Sequence, residues 1–198
     1  MKELRKYIRE LLREQRKWVG DIGPMYKVLI EYSGDDYIDI SLVHRDDASL
    51  DPELGDTNYM HMEIVKQPQY YKNCLDGWMV LSSNAADKWG PLLYDIAMEW
   101  ASQHGRGLFA DRSSVTRDAY NVWSYYMNSR SDIEVIQLDD ENDSFENGPD
   151  DDCMQLTTKI WAGDNHWTDD PLSKLYRKSD TTILDHLKQR DMLIVRGP

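Results

Sequence analysis

The sequence predicts a mixed α/β (α+β) protein, a two-layer fold in which a mostly antiparallel, splayed central sheet is flanked by helices. Apolar residues alternate with period two between residues 25 and 65, and a strand–helix–strand–helix order follows over residues 78–127. With 198 residues, of which 40% are hydrophobic, the chain can bury one sizeable core. We therefore expect an N-terminal tail over residues 1–22 and one domain over residues 23–198.

The tail is predicted to form an amphipathic, basic helix. Seven basic and three acidic side chains give residues 1–17 a charge of +4, so the remainder carries −17 of the total charge of −13. An apolar stripe runs from Leu4 to Trp18, and Gly23 and Pro24 end the helix. The stripe requires a groove, for which the domain itself, a sister chain in a homo-oligomer and a separate partner are the alternatives.

The first part of the domain reads as a run of strands. Residues 25–32 and 37–43 flank the turn sequence Ser-Gly-Asp-Asp and predict a β-hairpin, and residues 59–65 and 78–82 predict two more strands. A helix over residues 91–104 follows, because apolar residues recur at helical spacing after a proline that suits the first turn.

The second part alternates between short strands and helices. Residues 107–110 predict a strand, and Ser113 or Ser114 is positioned to cap a helix over residues 114–127. A strand over residues 133–138 precedes an acidic loop, residues 139–152, which contains eight Asp or Glu. The remaining expected elements are two short helices at 172–176 and 181–189 and an edge strand at 192–195.

Charge and composition exclude several classes of function. A net charge of −13 disfavours binding to nucleic acids and anionic membranes, and no apolar stretch approaches the ~20 residues that span a bilayer. We expect a soluble protein of intracellular origin without a secretory leader. Cys74 and Cys153 lie in no CxxC pattern, and the five histidines form no metal-binding motif, so we predict free thiols and assign no metal.

A phosphate site is predicted where the 78–82 strand leads through a loop into the 91–104 helix, because a helix N-terminus directs unpaired N–H groups and a positive dipole end at one point. The segment Trp89-Gly-Pro-Leu-Leu-Tyr94 resembles the acetyl-CoA loop and helix entry of the GNAT superfamily of N-acetyltransferases. Ala119-x-x-Val-Trp123 is similar to that superfamily's Ala-x-x-Leu-Tyr segment. Three segments together resemble GNAT-like proteins of tailed bacteriophages: Gly-Pro-Leu-Leu-Tyr-Asp, Asp-Arg-Ser-Ser-Val and Ala-x-x-Val-Trp-x-Tyr-Tyr. The resemblance covers residues 25–138.

The resemblance implies acyl transfer from acetyl-CoA to an unidentified amine, with Asp111 or Glu63 as the base. The family's proton-donating tyrosine is replaced by Trp123, which leaves Tyr126 on the same helix face as the candidate donor. Lys88 stands at the family's first glycine. The backbone N–H of Met79 or Leu81 is the implied oxyanion donor. The residues implied to hold the cofactor are Leu81, Ala85, Ala86, Lys88, Trp89 and Gly90.

Two alternatives to an active enzyme stay open. A GNAT-fold protein that has lost catalysis could serve as a virion or interaction component, with residues 1–19 binding phage structural proteins. An acidic inhibitor that imitates nucleic acid is the other alternative, supported by net charge alone. The resemblance implies a location in the cytoplasm of the infected host cell or in the virion.

Overall fold

A computed structural model describes residues 16–45, 60–66, 76–86, 88–111, 115–138 and 169–197. Most of the predicted amphipathic tail, the acidic loop and both cysteines lie outside the described residues.

The described residues form an eight-stranded sheet with the order β6-β7-β5-β4-β3-β2-β1-β8. Neighbouring strands pair antiparallel except for β4 with β5 and β1 with β8, which are parallel. The strands are β1 Tyr26–Tyr32, β2 Tyr37–His44, β3 Met60–Lys66, β4 Trp78–Ala85, β5 Leu108–Ala110, β6 Ile133–Gln137, β7 Lys174–Lys178 and β8 Leu193–Arg196.

Three helices in the described segments share one continuous apolar cluster with alternate residues of the sheet. The helices are α1 Gly90–Gln103, α2 Arg117–Ser129 and α3 Thr182–Gln189. We call the sheet face that contributes Val28, Ile40 and Met62 to this cluster the inner face. Because strand side chains alternate, residues such as Asp39, His61 and Glu63 lie on the opposite, outer face. This arrangement confirms the predicted two-layer α+β fold.

Most predicted elements are confirmed, including the hairpin and the helix after Pro91, but one assignment is wrong. Residues 172–176 were expected to be helical, whereas Pro171–Ser173 form a short 3-10 turn and Lys174–Lys178 form β7 between β5 and β6. Leu175 and Tyr176 are both fully buried, on opposite faces of this strand. Burial on both faces removes the alternation that identifies a strand in a sequence.

The start of α2 also differs from the expectation. The helix begins at Arg117 rather than at residue 114, and the hydroxyl of Thr116 caps it by accepting a hydrogen bond from the Ala119 amide at 3.2 Å. Ser113 and Ser114, the expected caps, lie outside the described residues. A Thr cap satisfies the same orphan amide as a Ser cap, so the helix starts one turn later with equivalent chemistry.

The end of the predicted tail packs on the domain. Val19 and Ile22 are buried in the inner-face cluster, and the Arg190 guanidinium donates to the Val19 carbonyl at 3.4 Å. The predicted tail, residues 1–22, therefore includes two side chains, those of Val19 and Ile22, that belong to the core of the domain.

Two truncations measure this core contact. Deletion of residues 1–19 is expected to lower the free energy of unfolding by about 1.5–3 kcal/mol relative to deletion of residues 1–15, because only the longer deletion removes the buried Val19 side chain. Urea denaturation of both truncations measures the difference, and equal stability of the two would contradict a core role of Val19.

Candidate active site

The sheet opens between its two central parallel strands. The last pair between β4 and β5 joins Val80 and Ala110, and β4 continues to Ala85 without β5 beside it. A β-bulge lies at the same level: Ile64 of β3 is opposite Val80, whereas Glu63 is opposite Ser82, so Leu81 is an extra residue in β4. A bulge bends and twists its strand locally, which turns the free end of β4 away from β5.

A cleft of about 240 Å³ occupies this opening. Its walls are the free end of β4, the end of β5, and the facing sides of α1 and α2. The lining includes both polar and apolar groups, among them Leu81, Ser83, Tyr94, Asp111, Thr116 and Trp123. Its volume is somewhat below the range of about 300–1,000 Å³ that is usual for pockets that hold small molecules.

Tyr94 and Trp123 form the floor of the cleft on the helix side. Their rings meet edge to face with centroids 5.2 Å apart, and the Tyr94 hydroxyl lies 3.0 Å from the Ser83 hydroxyl across the cleft. Burial raises the pKa of Tyr94, so the phenol stays protonated at neutral pH and can donate a hydrogen bond. Tyr94 was not predicted as a site residue, although it follows directly after the Gly-Pro-Leu-Leu motif.

The predicted phosphate site lies in the loop from β4 into α1, about one helical turn before Tyr94 of the cleft lining. The Trp89 amide donates to the Ala86 carbonyl at 3.0 Å, and the side chain of Trp89, the N-cap residue, does not cap the first turn of α1. Among the described residues, a Cβ built on Gly90 would have only the Ala85 Cβ near it, at 4.0 Å. The first-turn amides of α1 therefore have no side-chain partner among the described residues.

Basic residues from the N-terminal segment lie against this loop. The Lys17 amide donates to the Lys88 carbonyl at 3.2 Å, and the Lys17 ammonium is 5.7 Å from the centre of the Trp89 ring. The Arg16 guanidinium stacks over the Tyr125 ring at 3.6 Å. Of these side chains, the Lys17 ammonium lies beside Trp89 at the start of α1, and Arg16 packs on α2.

The predicted site residues fall into two groups. Leu81 and Asp111 line the cleft, and Ala85, Ala86, Lys88, Trp89 and Gly90 form the loop and the start of α1. Glu63 lies on the outer face, where its carboxylate accepts a hydrogen bond of 2.8 Å from the Ser82 hydroxyl, and Ser82 lines the cleft.

Tyr126 stands apart from both groups. Its hydroxyl is fully buried and donates to the Pro91 carbonyl at 2.9 Å, and the ring is outside the lining of the cleft. Burial raises the pKa of Tyr126 well above its ordinary value. In this conformation Tyr126 joins α2 to the first turn of α1, and its role as proton donor stays a prediction.

Lys88 carries backbone strain at the position where the resembled family has glycine. Its φ is +74°, in the left-handed region that costs a residue with a Cβ. We expect Lys88→Gly to be about 1 kcal/mol more stable than Lys88→Ala, since both variants remove the same charge and only glycine removes the strain. Thermal melts of the two variants measure this, and equal stability would contradict a left-handed conformation at residue 88.

No protein-family profile matches this chain, and neither a curated protein nor a solved structure is similar to it. In the described part of the chain, none of the helices has the length and apolar character needed to cross a membrane.

Proposed function

We propose that this protein is an acetyl-CoA-dependent N-acetyltransferase of the GNAT type, of bacteriophage origin, which transfers an acetyl group to an amine. One observation carries the proposal: the gap between the parallel strands β4 and β5 opens into a cleft whose helix side is lined by Tyr94, about one turn after the N-terminus of α1. Acetyl-CoA has its thioester and its pyrophosphate joined by a pantetheine arm, so the thioester can enter the cleft while the pyrophosphate lies at the start of α1.

The pyrophosphate is placed at the start of α1. The open space at Gly90 allows phosphate oxygens to approach the backbone, and Lys17 and Lys88 supply positive charge. The acetyl group is placed in the cleft beside Leu81, which has no opposite residue in β3 and lies beyond the last β5 pair. In this proposal the Leu81 amide donates to the oxygen that becomes negative during transfer.

The residues of the cleft suit the two proton transfers that the reaction requires. The amine nitrogen attacks the thioester carbon, and Asp111 accepts the proton that the nitrogen loses. The carbon–sulfur bond then breaks, and the Tyr94 phenol, which faces Ser83, supplies a proton to the departing thiolate. Asp111 is favoured over Glu63 as the base because it lines the cleft directly.

A specific observation favours the second candidate function, a catalytically inactive GNAT-fold component of the virion. The position of the family's proton donor is held by Trp123, whose indole is 1% exposed and packs against Tyr94 and Tyr176. An indole cannot donate a proton to a thiolate at neutral pH. In that case Tyr94 does not replace the missing proton donor, and the protein binds acetyl-CoA without transferring its acetyl group.

Calorimetric titration of the full chain with acetyl-CoA tests the proposal. Wild-type protein is expected to bind, and Gly90→Val to bind at least roughly tenfold more weakly, because the added methyl groups occupy the phosphate position. Gly23→Val is the matched control: its Cβ also has ordinary space, with the Tyr26 ring at 3.7 Å, and it lies outside the proposed site.

Three outcomes decide between the candidates. Binding that Gly90→Val weakens, with release of free CoA in the presence of amines, supports the enzyme. The same binding without CoA release from any member of an amine panel favours the inactive component. No heat from wild-type protein at millimolar acetyl-CoA would overturn the proposed cofactor site.

A further inference from the structure

The outer face of the sheet carries a row of carboxylates that the proposed acetyl transfer does not explain. Glu31 is opposite Asp39, Asp39 is opposite Glu63, and Glu63 is opposite Ser82, across four successive strands. Like charges at directly opposite positions in neighbouring strands repel each other. Such a row requires compensating positive charge.

The described residues supply only part of that charge. The Arg196 guanidinium is 3.8 Å from the Glu31 carboxylate at one end of the row, and the His61 Nε2 atom is 3.2 Å from Asp39 Oδ1. Within the described segments, neither Asp39 nor Glu63 forms an ion pair with a lysine or an arginine. Glu63 is approached instead by hydroxyl groups: the Ser82 hydroxyl donates to it at 2.8 Å, and the Tyr37 phenol, whose pKa is raised to about 12 by burial first and then by the Glu63 charge, also forms a hydrogen bond with it.

Three side chains in this region have the composition and spacing of a metal-binding site. His61 and Glu63 are two residues apart on β3 and therefore point to the same face, and Asp39 is held opposite Glu63 by the register of β2. One ligand atom from each of Asp39, His61 and Glu63 lies within 4.8 Å of the other two. All three side chains are partly buried, which leaves the solvent side of the cluster for water ligands.

We propose that Asp39, His61 and Glu63 bind a divalent transition-metal ion, with Zn²⁺ as the representative ion. An imidazole nitrogen with two carboxylates suits this class of metal, and an open site completed by water is usual for three protein ligands. Ligand bonds of about 2.0–2.2 Å require ligand atoms roughly 3.3–3.6 Å apart. The separation of 3.2 Å between His61 Nε2 and Asp39 Oδ1 is just below this range, and the Glu63 oxygen, within 4.8 Å of both atoms, would have to move closer on metal binding.

Groups around the cluster hold two of the ligands in place. The Ser82 hydroxyl orients the Glu63 carboxylate, and the Ser33 hydroxyl is 3.4 Å from the second oxygen of Asp39. Such outer contacts fix the direction of a ligand and contribute to affinity. The Asp39 carboxylate accepts a hydrogen bond from the His61 imidazole and thereby raises the pKa of His61, so a proton and a metal ion compete for the same nitrogen.

The site is independent of the proposed cofactor. It lies on the outer face, and it requires neither the α1 N-terminus nor the lining of the cleft except Ser82. This metal site could not be predicted from the sequence, because Asp39 is 22 residues away from His61 and only strand register brings the two together.

Zn²⁺ titration of the metal-free full chain, with wild type and variants compared, tests the site. Because the chain holds other histidines and two cysteines, the difference between variants is the measured quantity. His61→Ala and Glu63→Gln are expected to lose one binding site or to weaken it by at least about 100-fold, since loss of a direct ligand exceeds the effect of an outer contact. Glu31→Gln, in the same row but outside the cluster, is the matched control and is expected to bind like wild type.

A second measurement separates loss of the metal site from an effect of the substitutions on folding. Zn²⁺ is expected to raise the melting temperature of wild type and of Glu31→Gln more than that of His61→Ala, because only a site in the folded protein stabilises it. Equal stoichiometry, affinity and thermal shift in wild type, His61→Ala and Glu63→Gln would overturn the proposal. A failure of acetyl-CoA binding would leave this result unchanged.

Discussion

Replacement of Glu99 by Ala is expected to lower the free energy of unfolding by about 3–5 kcal/mol, because it removes the buried partner of the Lys178 ammonium and the acceptor of two buried amides. Among the described residues, the ammonium would keep only the more exposed Asp180 and Asp132 carboxylates, 3.4 and 4.0 Å away. Glu99 has no exposed surface, and its carboxylate accepts a hydrogen bond of 2.7 Å from the Lys178 ammonium, itself 4% exposed. The same carboxylate accepts from the Ile183 and Leu184 amides in the first turn of α3. One side chain of α1 therefore joins β7 and α3.

Two further variants separate the charge from the hydrogen bonds. Glu99→Gln keeps an acceptor for the α3 amides and is expected to fall between wild type and Glu99→Ala. Glu134→Ala removes the ion pair between Glu134 and Arg177, whose side chains are 55% and 39% exposed. This variant is expected to lower the free energy of unfolding by only ~0–1 kcal/mol. Urea denaturation measures all three, and a loss below about 1 kcal/mol for Glu99→Ala would contradict a buried, joining role.

Replacement of Trp123 by Ala is expected to cost about 3–5 kcal/mol of stability and to enlarge the cleft. The Trp123 ring lies between Tyr94 and Tyr176, with ring centroids 5.2 and 4.9 Å away, and the surrounding helices cannot collapse onto the space it leaves. The other wall of the cleft is β4, which is held by its pairing with β3 and cannot move into the space that Trp123 leaves.

Tyr125→Ala provides the matched control for this prediction. Tyr125 is a neighbouring aromatic residue of α2 but is only partly buried, and it packs at the edge of the same cluster. Its removal is expected to cost less than half as much as removal of Trp123. Equal losses in the two variants, measured by denaturation, would show that Trp123 is not a central packing residue.

The elements that local sequence chemistry defines could be predicted. The hairpin follows from period-two alternation around a turn whose Gly34 has a φ of +94°, a conformation that favours glycine. The limits of α1 follow from Pro91 in its first turn and from Gly105 after its end. A Cβ at Gly105 would lie 2.4 Å from the Asp76 carbonyl oxygen, so only glycine fits there.

Features that depend on distant partners could not be predicted. β7 contains Lys174 and Lys178, whose burial in a strand is possible only because Gln137 and Glu99 lie beside them. The phosphate loop was found from its motif, whereas Tyr94 enters the candidate site through its contact with Ser83 across the cleft. None of these three contacts can be predicted from the local sequence, because each joins residues that only strand pairing or helix packing brings together.

The most direct test of the central claim is an amide NMR spectrum of the full chain, recorded with and without acetyl-CoA. We expect the largest shifts at Leu81, Ser83, Gly90 and Asp111, because these residues surround the proposed acetyl and pyrophosphate positions. Amides of β1 and β2, which do not line the cleft, are expected to stay unchanged. An unchanged spectrum at millimolar acetyl-CoA, or shifts confined to β1 and β2, would contradict the assignment of the cleft as an acetyl-CoA site.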